Sequence, residues 1–271
     1  MTDLLGQPTK MQSPSVLVFN LHTDELIRRF EIPTSQIKEN SFFVNIFVDV
    51  VPERCDETFA YILDIYAYAI IVYDLKRDAS WRVNHNYFNF DPVMGDMSVA
   101  GVSFQWHDGV FGMALGKTTN ERGDRTLYFH ALVSSNEFSV SNAVLKNESF
   151  STSPDSFHAF SWLGTRGAET QSSSEVFDRL TDVVFYSLVN KDAVGCYNTL
   201  KPFTVENQGL IANDSELLVF PNDLTVDKNG NLFILSNRMP VYMFSALKPQ
   251  TNYRIMMGRT SELIKGTPCE L

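Results

Sequence analysis

The stretch that decides the fold is Phe220-Pro-Asn-Asp-Leu-Thr-Val-Asp-Lys-Asn-Gly-Asn-Leu-Phe-Ile-Leu-Ser-Asn-Arg-Met-Pro-Val-Tyr-Met-Phe244. Leu224 and Val226 alternate with other residues before Lys228-Asn229-Gly230-Asn231, and Leu232 and Ile234 do so after it. A period of two on both sides of a turn segment predicts a β-hairpin. Asn-Gly between such runs predicts a type I′ turn, whose two central residues both need positive φ. The apolar runs Val241-Tyr-Met-Phe and Asn252-Tyr-Arg-Ile are then expected as third and fourth strands.

Working outward, the same unit recurs. Second-strand candidates begin at Thr58, Val110, Val183 and Asn231, at intervals of 52, 73 and 48 residues. Third-strand candidates follow at Ile70, Arg125, Ala193 and Val241. Four-stranded units repeating every 40–50 residues or so are the signature of a β-propeller. The long middle interval is assigned to an insertion around residues 146–170. Blade two is expected to begin at Ala100-Gly-Val-Ser-Phe, with the polar excursion from Lys117 to Asp124 between its second and third strands. The expected fold is all-β, with about four full blades, plus half a blade formed by Val16-Leu-Val-Phe-Asn-Leu and Leu26-Ile-Arg-Arg-Phe-Glu-Ile. Residues 1–12 are expected to be unstructured and 13–271 to form one partial propeller domain. Half a blade leaves sheet edges unpaired, which predicts self-association through an open edge or an N-terminally incomplete chain.

Composition narrows the function classes. A net charge of −10 argues against nucleic acid and anionic membrane surfaces as partners and favours cationic ligands through long-range steering. The longest apolar region, Phe59 to Tyr73, is broken by Asp64 and alternates like strands, so no membrane-spanning helix is expected. Met1 to Gln12 lacks the charged and apolar regions of a signal peptide.

Asn84-His-Asn-Tyr-Phe, Gly101-Val-Ser-Phe, Arg125-Thr-Leu-Tyr-Phe-His, Gly164-Thr-Arg-Gly, Asn190-Lys-Asp-Ala-Val-Gly-Cys-Tyr-Asn, Phe220-Pro-Asn-Asp and Leu263-Ile-Lys-Gly-Thr-Pro-Cys occur in order along the chain. Together they resemble the insect yellow / major royal jelly protein family from about Pro14 to Cys269. The resemblance implies a secreted, six-bladed propeller. It implies roles ranging from pigmentation and dopachrome conversion to amine binding or nutrition. The family's N-terminal portion has no counterpart here, and Ser13-Pro14 stands where a cysteine is usual. The resemblance also implies a disulfide between Cys196 and Cys269, leaving Cys55 without its likely partner. Buried reduced thiols are the alternative. The sequons Asn147-Glu-Ser and Asn213-Asp-Ser are consistent with secretion and are expected in inter-strand loops.

On a propeller, function sits in the loops at one end of the central channel. Setting Asp49, Asp178 and Asp227 in register brings Asn45, Gln171, Ser172, Asn222 and Asp223 to that end, with Asn190 opposite and Tyr66 and Tyr68 nearby. Amides, hydroxyls, one carboxylate and aromatic rings suit a small aromatic amine or catechol. Turn-holding is the competing reading for Asn222 and Asp223. Pro-Asn-Asp followed by Asp-x-x-Gly is similar to calcium-binding lactonase propellers, but no ring of carboxylates accompanies it here, so neither metal nor cofactor is expected. His85, His130 and His158 have no spacing that builds a metal or catalytic triad site and are read as structural donors. A base that tautomerises dopachrome would have to take a proton beside the quinonoid ring, and a histidine near the channel would serve.

Overall fold

The computed structural model describes residues 12–246 and 249–271. The expectation of an unstructured 1–12 segment therefore lies, but for Gln12, outside the described residues. The structure is all-β, with several small antiparallel sheets. Strands β1 (Ser15–Phe19) and β2 (Leu26–Glu31) pair as a two-stranded sheet. Strands β3 (Phe43–Asp49), β4 (Phe59–Asp64), β5 (Ala69–Asp74) and β6 (Ala79–Asn84) form a meander in sequence order. A separate hairpin of β7 (Asp96–Val99) and β8 (Val102–Gln105) follows.

The next meander is β9 (Val110–Thr118), β10 (Arg125–Ala131), β11 (Asn136–Ser141) and β12 (Phe160–Thr165), with short helices α1 (Asn142–Lys146) and α2 (Glu148–Ser151) between its last two strands. Strands β13 (Glu175–Asp178), β14 (Val183–Leu188), β15 (Ala193–Asn198) and β16 (Gln208–Asn213) make another. The last sheet has three strands, β17 (Pro221–Val226), β18 (Asn231–Asn237) and β19 (Tyr253–Arg259), with α3 (Met239–Phe244) between the second and third and α4 (Thr260–Leu263) after them.

Three readings of the sequence are corrected. Val241-Tyr-Met-Phe is not a strand but the body of α3. Pro240 occupies the first turn, where its missing N–H costs nothing, and the Asn237 side chain accepts from Met239 N–H at 2.9 Å. A four-residue apolar run cannot by itself distinguish the two conformations. The Asn-Gly turn is not type I′ either, because only Gly230 has positive φ (76°). The Asp227 carboxylate takes Asn229 N–H at 2.8 Å and Asn231 N–H at 2.9 Å, stabilising a longer loop. The two-residue turn with both central φ positive occurs instead at Ala100 (50°) and Gly101 (79°), between the paired residues Val99 and Val102.

That turn explains the third correction. Ala100-Gly-Val-Ser-Phe does not open a four-stranded sheet but closes the β7–β8 hairpin. Val110 therefore begins a first strand, and the polar excursion from Lys117 to Asp124 joins first and second strands. The supposed insertion contains that sheet's fourth strand, β12.

The cores lie between neighbouring sheets. Tyr61, Leu63, Val72 and Trp81 pack against Met113, Leu127, Phe129 and Phe138, and Val183, Phe185 and Val194 pack against Leu224, Leu232 and Ile234. Burial at this scale supplies most of the driving force. Charged clamps sit inside the fold: Asp64 pairs with Arg82 at 2.8 Å and accepts from Ser41 Oγ and Phe42 N–H. The first strands β3, β9, β13 and β17 lie side by side in that order, so each sheet presents one edge to a common cleft.

A cleft between four first strands

Phe47 of β3, Met113 and Leu115 of β9, Val176 of β13, and Leu224 and Val226 of β17 line a cavity of about 600 Å³. Its volume falls in the range of small-molecule sites, about 300–1,000 Å³. Arg179, Leu180 and Lys228, in the loops after β13 and β17, line it as well and are exposed.

The carboxylates in this wall are committed. Asp178 accepts from Leu180 N–H at 3.1 Å and from Thr181 Oγ at 2.7 Å, while Asp227 holds the Asn229–Asn231 turn. The alignment of Asp49, Asp178 and Asp227 reflects a shared position at the end of a first strand. Asp49 spends its charge inside the protein, on Lys146 Nζ at 2.7 Å and Arg125 Nε at 3.2 Å.

Glu175, also in the cleft wall, has a fully buried side chain that lies against the neighbouring sheet. There, His130 Nδ1 is 3.1 Å from Glu137 Oε2 and 3.6 Å from Glu175 Oε2, and Arg166 pairs with Glu137. Burial, then the Glu137 charge, pushes the Glu175 carboxyl well above the usual range. Burial and then Arg166 push the His130 imidazole down, which keeps it neutral. These groups meet the spatial requirement for three metal ligands. Their charges fit a proton better than a divalent ion: Arg166 already balances Glu137, and a proton on Glu175 neutralises the remainder.

None of the six residues expected at the channel mouth lies among the residues lining the cleft. Gln171 is buried and donates from Nε2 to Met94 O at 2.9 Å, and Asn190 Oδ1 accepts from Ser98 N–H at 2.8 Å. Both hold the β7–β8 hairpin, which covers this end of the strands. Ser172 is fully buried against Ser174 O and Ser187 Oγ. Asn45 donates to Phe111 O at 2.9 Å, tying β3 to β9. Asp223 accepts from Ser174 Oγ and from Leu224 N–H, both at 2.9 Å, so its carboxylate serves the β13–β17 junction. Asn222 gives its carbonyl to Ser173 Oγ at 3.0 Å.

The hairpin end does gather a group that sequence reading missed. Asp108 is 3% exposed, and burial raises its carboxyl to about 7, with the Trp106 indole N–H acting in the opposite direction. Tyr66 stacks between Phe42 and His107, each at 5.3 Å, and burial, then Asp108, raises its phenol to about 12. His-Asp-Gly at 107–109 carries no local signal for this, because the partners come from the β4–β5 loop.

Outside these regions, His85 is structural: its Nδ1 accepts from Tyr87 N–H, and the ring stacks on Phe160 at 4.2 Å. Cys196 and Cys269 are joined in a disulfide, and Cys55 is free and exposed. Asn147 caps α2 through its side chain. Asn213, expected in a loop, is the last residue of β16 and donates to Lys191 O at 2.8 Å. Among the described residues no helix is long and apolar enough to cross a membrane.

Comparison with known proteins agrees with this architecture. L-dopachrome tautomerase yellow-f of Drosophila melanogaster is 38% identical over 273 residues, covering 99% of this chain and 63% of that protein. Protein yellow of Drosophila yakuba is 39% identical over 271 residues, covering 98% of this chain and 49% of that protein. The chain thus spans between about half and about two thirds of the length of these relatives. Among solved structures, that of a nidogen/laminin complex matches with a TM-score of 0.53 at 15% identity, covering 83% of this chain and 68% of that one, a likeness of fold alone. The family description "Major royal jelly protein" matches residues 1–269, and with these relatives it establishes that the chain belongs to the yellow / major royal jelly protein family.

Proposed function

We propose that this protein binds a small aromatic ligand of the catechol or dopachrome class in the cleft between β3, β9, β13 and β17, in a pigmentation or melanisation role. The observation that carries this reading is the cavity of about 600 Å³, walled by Phe47, Met113, Leu115, Val176, Leu224 and Val226. Apolar walls bury a flat ring system, and committed backbone and side-chain groups keep the walls rigid. The test is calorimetric titration with dopachrome-class ligands and dopamine, repeated with Thr225→Trp, which adds bulk at an exposed cleft-lining position. Saturable binding that the substitution abolishes supports the cleft. Unchanged binding in the variant, or no binding at all, overturns it.

Conversion of the ligand is a second reading, favoured by the relative named L-dopachrome tautomerase yellow-f. Tautomerisation removes a carbon-bound proton beside the quinonoid ring and delivers one to an oxygen, with no net redox change. In the cleft wall Asp178 and Asp227 are tied into turns and Glu175 is sealed, so the wall offers no free carboxylate base. Simple binding is therefore favoured. Decay of dopachrome no faster with folded protein than without it would reject conversion.

The same reading has the sheets arranged as blades of a ring, six in number as the family resemblance implies. It has the protein secreted, as the disulfide permits, and glycosylated at Asn147 and Asn213, both exposed. A storage, structural or salivary amine-binding role is the alternative, and indifference of the cleft to catechols would favour storage or structure.

A further inference from the structure

The cleft wall does not share the acidic balance of the whole chain: Arg179 and Lys228 match Asp178 and Asp227 in number, and Glu175 is sealed away. The chain carries −10, yet the acidic side chains in the cleft wall are either tied into turns, as Asp178 and Asp227 are, or buried and held protonated, as Glu175 is. The two cations in the same wall, Arg179 and Lys228, have no hydrogen-bond or ion-pair partner among the described residues. Arg179 is close enough to disfavour the charged form of Arg125.

A second cavity, of about 660 Å³, also contains cations, but there each one is paired: Arg77 with Glu148 at 2.6 Å, Arg122 with Asp124 at 2.9 Å and Lys146 with Asp49 at 2.7 Å. The cleft's cations thus differ from those of the second cavity, each of which has an acidic partner. A guanidinium and an ammonium at the rim of an apolar slot match a ligand with a flat ring at one end and a carboxylate at the other.

We infer that Arg179 and Lys228 form a carboxylate subsite, and that the cleft selects aromatic ligands bearing a carboxylate over neutral or cationic ones. This rests on the cleft being the ligand site, and it reverses the preference for cations expected from net charge. Net charge acts at long range and is screened over about 8 Å at physiological salt, whereas recognition is decided by the groups that touch the ligand.

Indole-2-carboxylate, its methyl ester and dopamine provide the test, each titrated into the protein, into Arg179→Gln/Lys228→Gln and into Thr225→Trp. Both glutamines replace exposed side chains, so circular dichroism should be unchanged. The subsite predicts that the acid binds at least about tenfold more tightly than the ester or dopamine, about 1.4 kcal/mol. The double substitution should bring the acid down to the level of the ester and leave the ester unaffected, while Thr225→Trp weakens both. Equal binding of acid and ester, tightest binding of dopamine, or an acid affinity untouched by the double substitution overturns the subsite while leaving the cleft standing. Failure of all three ligands to bind, or binding indifferent to Thr225→Trp, overturns the cleft itself and the subsite with it.

Discussion

The Gln171 side-chain amide donates to the Met94 carbonyl at 2.9 Å, tying the segment before β13 to the segment that leads into the β7–β8 hairpin. The amide N–H of a residue whose chemistry suits a ligand is thus engaged with the chain itself, while its Oε1 has no partner among the described residues. Gln171→Ala should raise amide hydrogen exchange at Ser98 and its neighbours in the hairpin, because the Met94 carbonyl loses a buried donor at a cost of about 1–3 kcal/mol. Affinity for a ligand in the cleft should stay within about twofold. Loss of affinity with unchanged exchange would place the ligand at the hairpin end instead.

Asp49 links three elements: its carboxylate meets Arg125 of β10, Lys146 of α1, and the Tyr61 hydroxyl of β4 at 3.0 Å. The Asp49 and Arg125 side chains are 0% and 1% exposed. Removing the acid alone leaves a buried guanidinium uncompensated, so Asp49→Ala should cost about 3–5 kcal/mol in denaturant unfolding. Asp49→Ala combined with Arg125→Met should cost less than the sum of the two single changes.

Asp108 makes stability depend on pH. Its folded-state carboxyl titrates at about 7 because of burial, far above an unfolded aspartate. Below the unfolded value both states are protonated and the group imposes no penalty. Between about pH 4 and about pH 7 the unfolded chain releases the proton and the native one retains it, so stability falls as pH rises through that window. Glu175 contributes in the same direction. Asp108→Asn should flatten the decline of melting temperature between pH 4 and pH 7, and an unaltered slope would contradict the burial argument.

The Cys196–Cys269 disulfide closes a loop of 73 residues in sequence separation and fastens the tail to β15. Asn198 Nδ2 adds a bond to Cys269 O at 3.0 Å. Chain-entropy estimates put the cross-link at ~4 kcal/mol. Cys196→Ser with Cys269→Ser should lower the melting point by on the order of 10 °C. Cys55→Ser should change it little, because Cys55 is exposed and free.

Gly112 leaves room for the neighbouring imidazole: a Cβ there would sit 2.4 Å from His130 Nε2. Gly112→Ala should displace His130 from Glu137 and destabilise the fold by about 1–3 kcal/mol, as overpacking does. An unchanged melting temperature would show that the His130 cluster yields without cost.

Alternation, with short apolar runs between turn signals, was enough to assign the all-β class and most of the strands, because both are local properties of the chain. The repeat was read one strand out at Val110 and Arg125, which open the first and second strands of their sheet. The family was legible too, since its motifs keep their order along the chain. Signals with two local solutions were not settled this way. Val241-Tyr-Met-Phe satisfies helix and strand alike until Pro240 and Asn237 are seen starting a helix. Gly101-Val-Ser-Phe reads as an opening strand until Ala100 and Gly101 are found in a tight turn. The site depended most on tertiary structure. Whether Gln171, Asp223 or Arg179 is free to meet a ligand depends on whether another part of the chain has already taken its hydrogen bonds and charge, and those partners lie tens of residues away in sequence, brought together only when the sheets pack.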